Sequence, residues 1–414
     1  MMRKSFIFSG DRSSCTGCGA CSQICKHDAL SMNADDEGFL YPVLNTQKCI
    51  DCGLCDLTCP VVNSVTENQG HNQHCYVATV FDKNVYQESA SIGICTLLSK
   101  YIIEIGGVVF GVFLDENNWR AYHIMIEDRN ALEKIRNSKY LQSSTSDTFM
   151  RVKQLLKTNK PVLYIGTPCQ IAGLKSFLKV SYNNLYTIDL ICHGVFSPKL
   201  MPLEIKYWES KYNGKISNFR FRSKRVYKHV NGGMVNFDIM NNGNLKHIER
   251  YAASSPTYRC YAYAGDGFFY NHRISCYNCS FRSKKRYADI TVGDPWFIRD
   301  DVISTPSLRS CNVIRSLFST NTKKGEFLLS AIKNYLRIEE LEIDKSFCQP
   351  AVLPANNVIP EKRKILFSCI DKEDYGALVE RLLNCNLDKA QSKFEKDYKI
   401  KILKRILKKF FLWS

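Results

Sequence analysis

Long apolar runs are missing from this sequence of 414 residues. The longest, Tyr101 to Leu114, is broken by Glu104 and is shorter than the ~20 residues of a spanning helix, which excludes a polytopic membrane protein. An apolar leader is missing too. Only three apolar residues, Phe6-Ile7-Phe8, follow Met-Met-Arg-Lys before the polar Ser9, against the about 7–15 residues of a secretory core, so the expected compartment is the cytoplasm. Extreme composition is absent. Hydrophobic residues at 45% and charged residues at 23% exclude a mainly disordered chain and fit roughly two to three domains of about 150 residues. No G-x-G-x-x-G follows a predicted strand, which excludes a Rossmann dinucleotide turn. Acidic residues are scarce beside basic ones, 40 against 57, leaving a formal charge of +17.

Cysteine, by contrast, is abundant, with 19 residues, an odd number in a chain read as unexported. That favours reduced thiols that bind metal or react over a disulfide framework. Eight of the 19 lie between positions 15 and 59. Cys15, Cys18, Cys21 and Cys25 are spaced C-x2-C-x2-C-x3-C; Cys49, Cys52, Cys55 and Cys59 repeat the spacing and end in Cys59-Pro60. Three thiolates three residues apart grip one face of a cubane, and the fourth, expected to start a helix that leads away, reaches the other cluster. The spacing predicts one 4Fe-4S cluster on Cys15, Cys18, Cys21 and Cys59 and a second on Cys49, Cys52, Cys55 and Cys25. Gly17, Gly19, Ala20 and Gly53 let the backbone wrap closely and turn amide N–H groups toward sulfur. A pair of zinc sites competes, but zinc usually takes two C-x2-C pairs across a spacer. The segment resembles a bacterial two-cluster ferredoxin domain, with Lys26 where the first run would carry proline.

Val61 to His74 is polar and reads as a linker. Beyond it, strands are expected at Tyr76–Phe81, Gly107–Leu114, Trp119–Ile126 and Leu185–Ile191, and helices at Thr96–Ile105 and Asp147–Thr158. Pro161–Leu178 reads as a strand, a turn and a helix. Apolar runs of this length alternating with helices predict a mixed, partly parallel sheet. Ile216–Met240 reads as antiparallel. At the end, Ile400, Leu403, Ile406, Leu407, Phe410 and Phe411 share a helical face, with Lys401, Lys404, Arg405, Lys408 and Lys409 largely opposite. Such a basic amphipathic helix fits peripheral contact with the inner face of a membrane, or docking on its own domain or a partner subunit.

Several strings stand in order after the cysteine runs: Ser138-Lys139-Tyr140-Leu141-Gln142-Ser143, Gly166-Thr167-Pro168-Cys169-Gln170, Asp189-Leu190-Ile191-Cys192-His193-Gly194, Cys276-x2-Cys279 and Gly293-Asp294-Pro295-Trp296. Together they resemble the coenzyme F420 hydrogenase/dehydrogenase beta-subunit family over roughly residues 10–365. The resemblance implies an iron–sulfur flavoprotein exchanging a hydride with a deazaflavin through FAD. The implied class is α+β/α/β: a ferredoxin-like domain at 1–62, a mixed α/β flavin-type domain in two parts at 75–195 and 196–365, and a C-terminal amphipathic helix at 395–414. Candidate flavin contacts are Ser91, Gly93, Lys139, Tyr140, Gln142, Ser143, Thr167 and Gln170; Lys139 is the expected cation for phosphate or a reduced ring. Ile92 stands where the family carries a glycine, and a β-branched side chain there would keep a cofactor away. Cys169, Cys192, Cys276 and Cys279 are the candidate ligands of a third 4Fe-4S cluster, with zinc or unrelated free thiols as alternatives. Cys75, Cys95, Cys260, Cys311, Cys348, Cys369 and Cys385 lack partner spacing and are expected in the core.

Phe219–Lys228 and Phe281–Arg286 interleave cations with aromatics. They are expected to form a solvated face or a basic entrance that steers an anionic coenzyme, and nucleic acid is not an expected partner because no recognition motif accompanies them. The expected function is a flavin-dependent iron–sulfur oxidoreductase working with a redox partner protein or an electron-carrier coenzyme. The alternatives are a non-catalytic electron-transfer subunit without flavin, which Ile92 favours, and, ranked last, an iron–sulfur protein of nucleic acids.

Overall fold

The computed structural model describes residues 5–63, 73–224, 226, 233–265, 267–309, 314–354 and 358–411, with side chains as far as Lys404. The chain forms two compact units, Met1–Lys199 with His272–Ile359 and Leu200–Asn271 with Pro360–Ser414.

The first unit is built on a nine-stranded mixed sheet. Four neighbouring strands, Val108–Asp115, Val162–Gly166, Leu185–Leu190 and Ile290–Gly293, run parallel, and most of their Val, Leu and Ile side chains are buried, as parallel strands favour. Antiparallel partners extend both sides: Arg120–Ile126 pairs with Val108–Asp115, and Ser316–Thr320, His74–Val80 and Leu336–Leu341 follow Ile290–Gly293. Thus the mixed, partly parallel sheet expected from the apolar runs is present. His74, read as the end of the linker, opens a strand instead and bonds Glu340; residues 64–72 lie outside the described residues.

The ferredoxin-like module carries one antiparallel ribbon, Leu30–Ala34 with Leu40–Leu44. It shares a hydrophobic core with the sheet domain: Cys18 and Ala20 pack with Phe149, Ile171, Ala172 and Phe177. The Pro168–Leu178 helix is buried on most sides because it lies within this core. Its start is fixed by a capping box, in which Thr167 takes the Gln170 backbone N–H and Gln170 Oε1 takes the Thr167 N–H at 3.0 Å, with Pro168 pre-set at the first helical position.

The second unit holds a three-stranded antiparallel sheet, Asn244–Tyr251, Met234–Asn241 and Lys215–Arg220, against helices. Its centre is aromatic, with Trp208 5.4 Å from the Phe237 ring. The long helix Leu387–Phe411 docks on its own unit through Phe394, stacked 4.6 Å from Tyr251, and through Gln391, which accepts the Tyr251 N–H at 2.7 Å. Further along, Ile400, Lys401, Leu403 and Lys404 are exposed; the side chains of Arg405, Ile406, Leu407, Lys408, Lys409, Phe410 and Phe411 lie outside the described residues. No described helix is long and apolar enough to cross a membrane.

The basic strings are only in part the solvated faces expected of them. In the first, Phe219, Phe221, Arg222 and Lys224 are buried and Ser223 donates to Glu249 at 2.6 Å; Arg225, Tyr227 and Lys228 lie outside the described residues. In the second, Phe281 and Arg286 are buried, and Lys284 pairs with Asp344 at 2.6 Å. Alternating aromatic and basic residues here mark chain that runs partly through the interior, with Arg222, Lys224 and Arg286 buried and Lys285 exposed.

Candidate metal centres

Gly17, Gly19 and Gly53 have φ of +69°, +78° and +70°, left-handed values that glycine adopts without strain. Gly19 and Gly53 cap the short helices Ala20–Ile24 and Leu54–Leu57, so each helix begins ahead of the third cysteine of its run. This corrects the expectation that the fourth cysteine starts a helix: Cys25 is the cap at the far end of the first one. The glycine turn sets three thiols on the loop, and the helix delivers the fourth elsewhere.

Cys15, Cys18, Cys21 and Cys59 line one cavity together with Phe6, Met32 and Pro42. Burial pushes the Cys18, Cys21 and Cys59 thiols up. Backbone N–H groups of Ala20 (to Cys18) and of Val61 and Val62 (to Cys59) work the other way, and crowding by the neighbouring thiols adds to the rise. Four thiolates gathered in an apolar cavity need a metal cation or cluster between them, and the amide N–H groups are the donors such sulfurs use. The other set is more open: Cys52 is exposed, while Cys25, Cys49 and Cys55 are half-buried. Among the described residues no three Cys, His, Asp or Glu converge closely enough for one metal ion. A cubane asks for something else, a separate iron for each thiolate.

The third nest is assembled from three distant segments. Cys169 opens the Pro168–Leu178 helix, Cys192 follows the Leu185–Leu190 strand, and Cys276 lies in the Ile274–Tyr277 turn ahead of Cys279. Cys192 feels the charges of Cys276, Cys169 and Cys279, which places all four together. Burial raises Cys192 well above an ordinary thiol and pushes Cys169, Cys276 and Cys279 to about 11 each. Backbone N–H groups of Gly194, Val195, Phe281 and Arg282 oppose that rise at Cys192, Cys276 and Cys279. Thr167 Oγ1 lies 3.2 Å from Cys169 Sγ. His193 is seated on Gln349, whose Oε1 is 3.3 Å from its Nε2.

The two buried nests touch. Thr16, inside the Cys15–Cys18 loop, lies near Cys169, whose charge is felt at Cys18. A Cβ built on Gly173 would lie 2.9 Å from Cys18 Sγ, so the helix that begins at the third nest presses its glycine against the first. Thr145 Oγ1 donates to the Cys18 carbonyl at 2.9 Å, and Gln23 Oε1 accepts the Phe149 N–H at 2.8 Å. Thr16, Gln23 and Thr145 escape a sequence reading because hydroxyls and amides carry no spacing signature.

The eight candidate flavin contacts fall in three places. Ser91 is 2.7 Å from Ser316 Oγ, and Gly93, at φ +93°, caps the Ile94–Glu104 helix. Between them Ile92 is fully buried in the core, not set at a cleft. Lys139 turns its ammonium onto backbone carbonyls of Arg136 and Asn137 at 2.5 and 3.3 Å, and the Tyr140 carbonyl accepts the Phe196 N–H. Gln142, Ser143, Thr167 and Gln170 do come together. Gln142 Oε1 takes the Leu40 N–H of the ferredoxin-like module at 2.8 Å, and Gln170 Nε2 donates to Ser143 Oγ at 3.1 Å.

Beside Ser143, His123 is buried and its Nε2 lies 3.1 Å from the Ile165 carbonyl, which places the proton on Nε2. Burial drops its pKa from 6.5 to about 4. The unfolded chain therefore takes up this proton first, and stability falls as pH drops from 6.5 to 4, by about 3 kcal/mol at 1.36 kcal/mol per unit. Denaturant unfolding across that window is expected to show this slope in the wild type and to lose it in His123→Gln.

Residues 14–63 match the family described as 4Fe-4S dicluster domain, and residues 159–346 match the C terminus of the coenzyme F420 hydrogenase/dehydrogenase beta subunit. The chain is 23% identical over 248 residues to a coenzyme F420-dependent sulfite reductase of Methanocaldococcus jannaschii, a match covering 55% of this chain and 38% of that enzyme's length. It is 23% identical over 312 residues to the F subunit of the F(420)H(2) dehydrogenase of Methanosarcina mazei, covering 70% of this chain and 80% of the relative. A chain in the solved F420-reducing [NiFe] hydrogenase complex of Methanosarcina barkeri aligns at a TM-score of 0.40 and 15% identity, over 79% of this chain and 94% of that one. The cysteine strings and both matched regions agree: the chain belongs to the coenzyme F420 hydrogenase/dehydrogenase beta-subunit-like family and carries an N-terminal 4Fe-4S dicluster domain.

Proposed function

We propose that the chain is an iron–sulfur electron-transfer protein with three cluster sites, two in the dicluster domain, with the crossed ligand sets given above, and a third on Cys169, Cys192, Cys276 and Cys279. A bound cubane supplies a one-electron redox site. The protein supplies the rest: thiols, amide N–H groups, and a dry core that holds the sites at fixed separation. The observation that carries this reading is the Pro168–Leu178 helix, which carries Cys169 of the third nest at its start and presses Gly173 against Cys18 of the dicluster loop.

In its fuller form the reading is a flavin-dependent oxidoreductase exchanging a hydride with coenzyme F420 or a similar carrier, the coenzyme in the names of both relatives. Splitting a hydride into single electrons needs a flavin. The eight candidate contacts do not share one face and most are already engaged within the fold, so they do not fit a flavin as a set and no hydride step follows from them. That arrangement favours the second reading, an electron-transfer subunit without flavin that serves a redox partner protein. In either form the exposed Ile400, Lys401, Leu403 and Lys404 would give a peripheral contact with a membrane surface.

Iron, sulfide and flavin analysis of anaerobically purified protein separates these readings. Three clusters give about twelve irons. One flavin per chain supports the oxidoreductase, none after FAD addition supports the electron-transfer reading, and about eight irons removes the third cluster. Colourless protein holding zinc overturns the proposal as a whole.

A further inference from the structure

Arg273 is fully buried, and no carboxylate pairs with it among the described residues. Its Nε donates to the Cys15 carbonyl at 2.8 Å and its Nη1 to Gln142 Oε1 at 3.4 Å, while Nη2 has no hydrogen-bond partner. The guanidinium lies 3.8 Å from the centre of the Tyr41 ring, and Phe39 is 5.7 Å away. A Cβ on Gly17 would come within 3.2 Å of Arg273 Cζ, so the glycine of the Cys15–Cys18 loop is what admits the cation. On its other side, the Arg273 carbonyl accepts the Cys276 N–H at 2.9 Å. Its charge is felt at Cys169 and Cys276. A buried charge without a counter-ion is costly, which implies that the fold has an anion for it that is not an Asp or Glu.

We propose that Arg273 is an electrostatic positioning residue between the two buried cluster sites: it ties the Cys15–Cys18 loop to the Cys276 turn, and the negative charge of the bound clusters is its counter-ion. This rests on the reading of both nests as cluster sites. Each electron added to a cluster adds negative charge, and a fixed cation in a medium of low dielectric stabilises it. Arg273 therefore raises the potential of both neighbouring clusters and favours electrons residing on this part of the relay.

The test is a potentiometric titration, followed by electron paramagnetic resonance, of the full anaerobic chain and of Arg273→Gln and Arg273→Lys. At fixed potential, Arg273→Gln is expected to lower the reduced-to-oxidised ratio of the two neighbouring clusters at least about tenfold, equivalent to 59 mV for a one-electron couple. The Cys25/Cys49/Cys52/Cys55 cluster should not move, and Arg273→Lys, which keeps the charge, should stay within about threefold of wild type. Iron-replete Arg273→Gln that titrates like wild type overturns the proposal, as does an equal shift at all three clusters. If Arg273→Gln fails to fold, Arg273→Lys decides, because a tenfold shift with the charge retained also overturns it. Failure of the three-cluster reading is seen separately: wild type then holds about eight irons, and the Cys15/Cys18/Cys21/Cys59 cluster still reports on Arg273.

Discussion

Cys59→Ser is expected to empty the nest of Cys15, Cys18 and Cys21 and leave that of its own sequence run filled. By position Cys59 belongs with Cys49, Cys52 and Cys55, yet it lines the cavity of the first three cysteines and feels the charge of Cys15. Serine is a poor substitute for a thiolate, so the variant should hold about eight irons where three clusters give about twelve. Adding Cys15→Ser should remove nothing more, since both residues serve one cluster. Adding Cys49→Ser should lower the content to about four. If Cys59→Ser is instead additive with Cys15→Ser and not with Cys49→Ser, the crossed arrangement is wrong. Iron and sulfide analysis of the three proteins gives the answer without any activity assay.

Arg286→Met should cost about 3–5 kcal/mol of stability, the penalty for leaving a buried charge without its partner. Arg286 Nη2 lies 3.2 Å from Asp189 Oδ1, with the two side chains 1% and 0% exposed. Arg286 also donates to Thr291 Oγ1 at 3.2 Å and to the Leu190 carbonyl at 3.0 Å, and Thr291 donates to Asp189 at 2.6 Å. The pair joins the segment leaving Cys279 to the strand leading to Cys192, so the same variant should loosen the third nest. Anaerobic urea unfolding measures the first effect. Adding Asp189→Asn removes the orphaned charge and should recover much of the loss; a single-variant cost below about 1 kcal/mol would show the pair to be dispensable.

The cysteine runs were legible because their chemistry is local: residues three apart on a glycine turn face one point. The sheet was legible for a similar reason, since apolar runs such as Val108–Val109–Phe110 are buried on both faces and leave no other reading. What escaped is long-range. Arg273 meets Cys15 across 258 residues and Gln142 across 131, and no pattern along the chain announces either contact. Aromatic–basic alternation misled because charge suggests solvent, whereas Arg222, Lys224 and Arg286 are buried. Lys139 misled in a related way, its ammonium folded onto local carbonyls. Of the seven cysteines expected in the core, Cys75 and Cys260 are fully buried, Cys95, Cys348, Cys369 and Cys385 are half-buried, and Cys311 lies outside the described residues.

The shared core of Cys18, Ala20 and the Pro168–Leu178 helix has a kinetic consequence. A carrier on a tether must find its docking partner afresh at each turnover, and the search limits how fast charge can pass. With clusters bound as proposed, the interval between donor and acceptor is laid down once, when the polypeptide folds, and no swinging or encounter is needed between them. On the proposed cluster assignment the bottleneck moves outward, to the half-buried Cys25, Cys49 and Cys55 and the exposed Cys52, where the chain would open to whatever reduces or oxidises it.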